Sequence, residues 1–450
     1  MLLRQRSARK MSDQSLLKPS ELPNGNAHPV SQPRKGIRLN RVLGRIVPII
    51  LLIYIAYTYD LVVIRYAFRD LHGEQERTLT AILWLLPTHS LFLWSLRAYL
   101  RVFFAHDRLP ASGATNYSGV ISWLRARLGA TFSDSDRAQH EDEQHIAQSV
   151  LTLLKASSCS DVRVKLCQPD GQPLRCWRDS CNGNLKAFRT RHCGDCGVCR
   201  VGFDHHCAWF DNDVTAAATL RPFIGFLISI PPLYLLGLGP LFPTAWRMLR
   251  RIQSFTSNDP GIRAAWWSKW YSWIGGPAFR WMVGFALGTS RWSNSTPGRM
   301  PHESPRAPVL VAVGAVFVFV ATALATSSLT HLRYGKLTVD VERSKAFRKL
   351  QRQLEKVDNS QTRVDAIRLK MDSLAPGQHF KVSWTDRVST QRQERVVSLS
   401  VYEGLLSHGS PWANLRRLLS NSTDTTPACS LSDTALRKVL EKASLLIPAP

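Results

Sequence analysis

The chain has 450 residues and a formal net charge of +25, from 58 Lys and Arg against 33 Asp and Glu. Such an excess suits either a nucleic-acid face or an anionic membrane surface, and the two differ in where the charge lies. Here the basic residues sit in tails and loops beside long apolar runs, which argues against a nucleic-acid partner and sets a lipid bilayer beside the chain.

Residues 1–45 are basic and interrupted by Pro19, Pro23, Pro29 and Pro33. They read as a disordered cytosolic tail with no cleavable apolar leader. Residues 46–64 are the first apolar run. About 20 residues rising 1.5 Å each cross a hydrocarbon layer of about 30 Å. Residues 79–104 are the second, with Arg97 and Arg101 placed to snorkel toward the side of the tail. His89 in this run reads as a satisfied polar residue, a buried functional group being the alternative. Residues 105–221 are polar and form an aqueous region, with helical spacing over Tyr117–Leu128 and Glu141–Ala156.

Residues 222–246 are a third run, whose prolines and glycines a bilayer tolerates when neighbouring helices cover the freed carbonyls. Residues 308–328 are the fourth. Four spans make 247–307 lumenal, although it is basic. Trp266, Trp267, Trp270, Trp273 and Trp281 mark 264–288 as a piece lying in the interface, with a fifth span as the alternative. Asn294-Ser295-Thr296 is a glycosylation sequon, usable on the lumenal side. Residues 329–450 then form a cytosolic tail. It holds a basic helix from Val339 to about Leu374, strand-like alternation at Gln378–Trp384 and Arg395–Val401, and a polar, mobile last 30 residues.

The chemistry concentrates in residues 176–213, which hold six of the nine cysteines and three histidines. C-x2-C spacings in a large chain read as metal binding rather than as a disulfide framework, and Cys159, Cys167 and Cys429 outside the stretch read as free thiols. Thiolate and imidazole donors suit Zn²⁺, which takes four ligands in a tetrahedron. The candidate donors are Cys176, Cys181, His192, Cys193, Cys196, Cys199, His205, His206 and Cys207, with Asp204 and Asp213 beside them. Two closed tetrahedra need eight, which leaves one cysteine for chemistry. A neighbouring histidine can hold such a cysteine as the nucleophilic thiolate, and a carboxylate can orient that histidine. Asp204, His205 and Cys207 are the residue types for this. A purely structural zinc module with Cys207 as a ligand fits the same composition.

D-H-H-C at 204–207, preceded by R-T-R-H-C-G-D-C-G-V-C at 189–199 and followed by Trp209 and Asn212, resembles the cysteine-rich domain of the DHHC protein S-acyltransferases, the palmitoyltransferases. The resemblance implies an α-helical polytopic membrane protein, with four transmembrane helices and a small cytosolic zinc-binding domain between spans 2 and 3. It implies that Cys207 takes an acyl group from acyl-CoA and passes it to cysteines of membrane or membrane-associated proteins, with His205 as base and Asp204 polarising it. One structural zinc would take Cys176, Cys181, His192 and Cys199, and the other Cys193, Cys196, His206 and Asp213. Arg189 and Arg191 are candidate contacts for the CoA phosphates, by charge. The endoplasmic reticulum or Golgi, with the site facing the cytosol, is the expected location.

The sequence departs from the family pattern around this set. Asp213 stands where the family has Cys, the first pair is C-x4-C, Ala208 replaces a proline, and Lys186-Ala187-Phe188-Arg189 replaces K-P-P-R. Thr215 and Ala218 stand in for a Gly and an Asn. The T-T-x-E motif after the fourth span aligns best at Val339-Asp340-Val341-Glu342, and Tyr402 with Trp412-Ala413-Asn414-Leu415 resembles a C-terminal aromatic–Asn motif. A catalytically weak or inactive zinc scaffold of the same fold is the rival reading.

Overall fold

The structure, a computed structural model, describes residues 39–105, 159–178, 181, 183–186, 188–295, 306–357, 361–374, 379–386, 391–399, 406–407, 409–419 and 431–445. The basic tail up to residue 38, the helices expected at 117–128 and 141–156, Tyr402, Cys429 and Thr296 of the sequon lie outside them.

Among the described residues, four helical segments are long and apolar enough to cross a membrane: Val42–Glu74, Thr78–Phe104, Leu220–Asn258 and Arg306–Arg333. The first begins as α1 (Leu39–Tyr59) and continues as a wider i→i+5 helix over Asp60–Glu74. It outruns the apolar stretch 46–64 because Arg65 and Asp60 neutralise each other at 2.8 Å, so the helix continues through charged sequence. The second is α2 (Thr78–Phe104).

Next come β1 (Cys159–Cys167), β2 (Arg175–Cys176), β3 (Asn184–Leu185), β4 (Arg191–Cys193), β5 (Val198–Arg200), β6 (Phe203–Cys207) and β7 (Asn212–Thr215). The third apolar segment is α3 (Leu220–Leu238) and, after a tight turn at Gly239–Leu241, α4 (Phe242–Asn258). The expected 222–246 therefore lies within a longer helical run, Leu220–Asn258, that extends it mostly at its C-terminal end. α5 (Gly276–Ser295) folds back on α4, where Gly284 and Gly288 leave room for Trp267 and Thr256. Trp270 at the turn is 78% exposed.

α6 (Arg306–Arg333) is the fourth apolar helix and extends the expected 308–328 at both ends. α2, α3 and α6 pack around Val102, Phe223, Leu227, Ala321 and Leu332, while Leu52, Leu83, Leu86 and Phe319 point outward. An apolar outer surface on three-turn-plus helices needs lipid around it.

The C-terminal part comprises α7 (Thr338–Leu354), α8 (Gln361–Leu374), β8 (His379–Asp386), β9 (Arg392–Ser398), α9 (Pro411–Leu419) and α10 (Asp433–Lys442). The expected hairpin is β8–β9, shifted by a few residues, but β1 adds a third antiparallel strand in the order β1-β8-β9. Cys167 lies opposite His379 and Val164 opposite Val382. Alternation along the strands gathers Val164, Leu166, Phe380, Val382 and Val397 on one face, and α10 covers it with Ala435, Leu436, Val439 and Leu440. This corrects the expectation of a mobile last 30 residues. Within them, 431–445 is ordered by that burial and by Ser432, whose Oγ accepts the Ala435 N–H at the start of α10.

Candidate metal centres and nucleophile

Three small hairpins carry the cysteines and histidines. In β4–β5, His192 lies opposite Cys199, and in β6–β7, His206 lies opposite Asp213. Successive side chains of a strand face opposite ways, so the adjacent His192 and Cys193 serve different clusters. Gly197 closes the β4–β5 turn at φ +75°, a left-handed conformation open to glycine, and donates its N–H to the Cys193 carbonyl at 2.8 Å.

One cluster gathers Cys176, Cys181, His192 and Cys199. The other gathers Cys193, Cys196, His206 and Asp213, and within each the donor atoms lie within 4.8 Å of one another. The His192 Nδ1 stands 3.6, 3.4 and 3.9 Å from the sulfurs of Cys176, Cys181 and Cys199. A tetrahedral zinc with its usual sulfur and nitrogen bond lengths spaces neighbouring S and N ligands about 3.5 Å apart. The sulfurs are free thiols rather than disulfides. The donor set and its spacing therefore fit zinc at the first cluster. At the second, the His206 Nδ1 lies 3.5 Å from Cys196, 4.0 Å from Cys193 and 2.9 Å from the Asp213 Oδ1. Arg200 Nε donates to the other Asp213 oxygen at 3.0 Å. Burial alone would raise the Asp213 carboxyl, but bonds from His206 and Cys193 and the charge of Arg200 carry it down to about 2.

Cys207 lies in neither cluster. It shares the face of β6 with His205, two residues back, and is buried against Phe210, Phe223 and Val214. A register shift between Phe203 and His205 turns the strand locally, and there the His205 Nδ1 donates to the Asp204 Oδ2 at 2.6 Å. Asp204 is 3% exposed and is also bound by Thr338 at the start of α7, through its N–H at 2.6 Å and its hydroxyl at 2.9 Å. A carboxylate at a helix N-terminus is electrostatically favoured. Burial would lower the His205 pKa, but Asp204 and Cys207 outweigh it and lift it to about 10.

Thr338 is the candidate-site residue that no sequence pattern marks. The motif after the fourth apolar helix acts two residues earlier than aligned: Thr338 binds Asp204, and Asp340 accepts the Leu337 N–H and pairs with Arg189 at 3.0 Å. The side chains of Arg189 and Asp340 are 4% and 5% exposed. Arg189, expected at the CoA phosphates, has its guanidinium in the interior, where it also donates to the Gly335 carbonyl. Arg191 stays half-buried beside it, held below its ordinary range first by burial and then by Arg189, against the pull of Asp340. Asn414 is buried and donates to the Arg333 carbonyl at 2.9 Å, joining α9 to the end of α6.

A cavity of about 370 Å³ runs between the apolar helices, lined by Leu51, Tyr99, Trp209, Phe226, Tyr234 and Phe317 among others. Trp209 and Phe226 also pack in the cluster that contains Cys207. His89 lines it too, with its Nδ1–H satisfied by the Leu85 carbonyl at 2.9 Å.

Residues 173–288 match the family model described as DHHC palmitoyltransferase. The chain is similar to palmitoyltransferase spe-10 of Caenorhabditis elegans, at 28% identity over 38% of this chain and 45% of the relative. It is similar to palmitoyltransferase ZDHHC2 of Danio rerio, at 27% over 50% of this chain and 53% of the relative. It also resembles the probable protein S-acyltransferase 14 of Arabidopsis thaliana, at 28% over 42% of this chain and 51% of the relative. The chain thus spans about half the length of these curated relatives. Residues 173–288 thus carry a match to the DHHC palmitoyltransferase domain, in a chain whose described residues hold four helices able to cross a membrane, which marks it as a multi-pass membrane protein.

Proposed function

We propose that the chain is a protein S-acyltransferase, moving a long-chain acyl group, palmitoyl foremost, from acyl-CoA to cysteines of membrane or membrane-associated proteins. The observation that carries this reading is Cys207 beside a buried Asp204–His205 pair and next to an apolar cavity between the helices. The Cys207 sulfur attacks the thioester carbonyl. A new carbon–sulfur bond forms, the bond to CoA breaks, and His205 protonates the departing thiolate. A substrate cysteine then gives its proton to His205 and attacks the acyl-Cys207, which restores the free thiol. Asp204 keeps the imidazole oriented through both steps. The cavity holds the acyl chain, each buried CH₂ contributing about 0.8 kcal/mol. Of the two arginines considered for CoA phosphate, Arg191 remains the candidate. Zinc, held by the two ligand sets above, would be a structural cross-link, since four protein donors close each shell. The site faces the cytosol in the endoplasmic reticulum or Golgi in this reading.

The test is incubation of the purified protein in lipid nanodiscs with labelled palmitoyl-CoA. Hydroxylamine-sensitive label is expected on the wild type and absent from Cys207→Ser. Label that persists in Cys207→Ser sinks the assignment, and a folded, zinc-loaded wild type that takes no label favours the inactive scaffold.

A further inference from the structure

We infer that Arg200 is the positioning residue that makes Asp213 a competent zinc ligand, so that Arg200 and Asp213 together replace a single thiolate in the second metal centre. The inference rests on the zinc reading of the two clusters and concerns how this chain completes the second of them.

A carboxylate differs from a thiolate in two ways that matter in a buried tetrahedral site. It has two donor oxygens, so it can chelate, swing or turn away. It is also strongly hydrated, so the oxygen that does not face the metal is left unsolvated unless something pairs with it. Asp213 is 1% exposed at its side chain, so water does not meet that need. Its Oδ1 is directed into the cluster, 2.9 Å from the His206 Nδ1, and its Oδ2 is taken by the Arg200 Nε at 3.0 Å. The division leaves one oxygen for the metal. The backbone supports it: Asp213 lies opposite His206 in the β6–β7 ladder, and the Asn212 side chain accepts the Asp213 N–H at 2.9 Å.

Charge points the same way. Two thiolates, one carboxylate and Zn²⁺ leave the second centre with one net negative charge. Arg200, with its side chain 15% exposed, cancels it. Arg200 also follows Cys199, a donor of the first cluster, along β5, so one strand supplies a ligand to one centre and the cation of the other. A cysteine at 213 would carry the same charge, but with a single donor atom it would not need to be oriented.

The experiment reads zinc and uses no acyl-CoA. Zinc per chain and its release to a chromogenic chelator are measured for the wild type, Arg200→Gln, Asp213→Cys and the Arg200→Gln/Asp213→Cys double variant. Two zincs are expected in the wild type. Arg200→Gln is expected to release the second zinc about 10- to 100-fold faster, the usual scale for an outer-shell partner. The double variant is expected to return to slow release with two zincs. Wild-type release from Arg200→Gln overturns the inference. So does fast release that a cysteine at 213 fails to relieve, or a wild type that retains one zinc. If Arg200→Gln does not fold, a folded double variant with two zincs supports the inference, and a double variant that also fails sinks it. An acyl-label failure in a protein that passes these tests would refute the transferase reading alone.

Discussion

Asp204 accepts the His205 Nδ1–H and two bonds from Thr338, so three donors converge on one buried carboxylate. Burial pushes the Asp204 pKa up, yet these bonds hold it below its ordinary value; burial would lower His205, but Asp204 and Cys207 lift it to about 10. The signs follow by linkage. A raised His205 adds stability in full below its unfolded value of about 6.5, and loses it as the pH rises through about 10. A lowered Asp204 adds stability above about 3.9, and loses it as the pH falls. Asp204→Asn should therefore lower stability by about 2 kcal/mol near pH 6.5, the scale of a buried charged hydrogen bond. The gap to wild type should close toward pH 10. Thermal unfolding in nanodiscs between pH 6.5 and 10 measures it, and a gap that does not change with pH contradicts the pairing. Thr338→Val should give a smaller gap of the same sign.

At the scale of elements, strand alternation sorts the donors. β4 sends His192 and Cys193 to different donor clusters, and β6 puts His205 and Cys207 side by side. The β1-β8-β9 sheet plays a different part, since Phe188 of the cysteine-rich stretch packs on its buried face with Phe380. The sheet is thereby a platform under the zinc hairpins, and α10 is its cover. Leu440→Asp would place an unpaired carboxylate in that cover, at a cost of about 4 kcal/mol or more. Limited proteolysis should then cut the C-terminal region at protease levels the wild type withstands. A tail that only drifted in solvent would be cut equally in both proteins.

Over the whole molecule, hydropathy is a local signal, and the four apolar helices are legible from it. Their true ends are not, because pairs such as Arg65–Asp60 carry helix into charged sequence. The metal donors are legible because their spacing is short-range. The partners of Asp204 and Asp213 are not. A threonine following an apolar helix and an arginine following a cysteine leave no pattern that names the carboxylate they meet. Alternation at Val162, Val164 and Leu166 was present in β1, but alternation does not say that the partner lies at His379–Asp386. Topology is the global expectation still to test. In microsomes, the sequon at Asn294 should take an endoglycosidase-sensitive glycan that Asn294→Gln removes. An unmodified chain, with a control sequon modified beside it, would move 247–307 to the other side.

The bond from Thr338 to Asp204 joins residues 134 apart in sequence. A ribosome adding about 5–20 residues per second needs roughly 7–27 s to travel that distance. During that interval Cys207 and His205 have been made, but the support of Asp204 has not. The fourth apolar helix, which ends at Arg333, is synthesised in the same interval. The order of synthesis therefore makes completion of the Asp204 hydrogen-bond set a late event, after the last apolar helix has been translated.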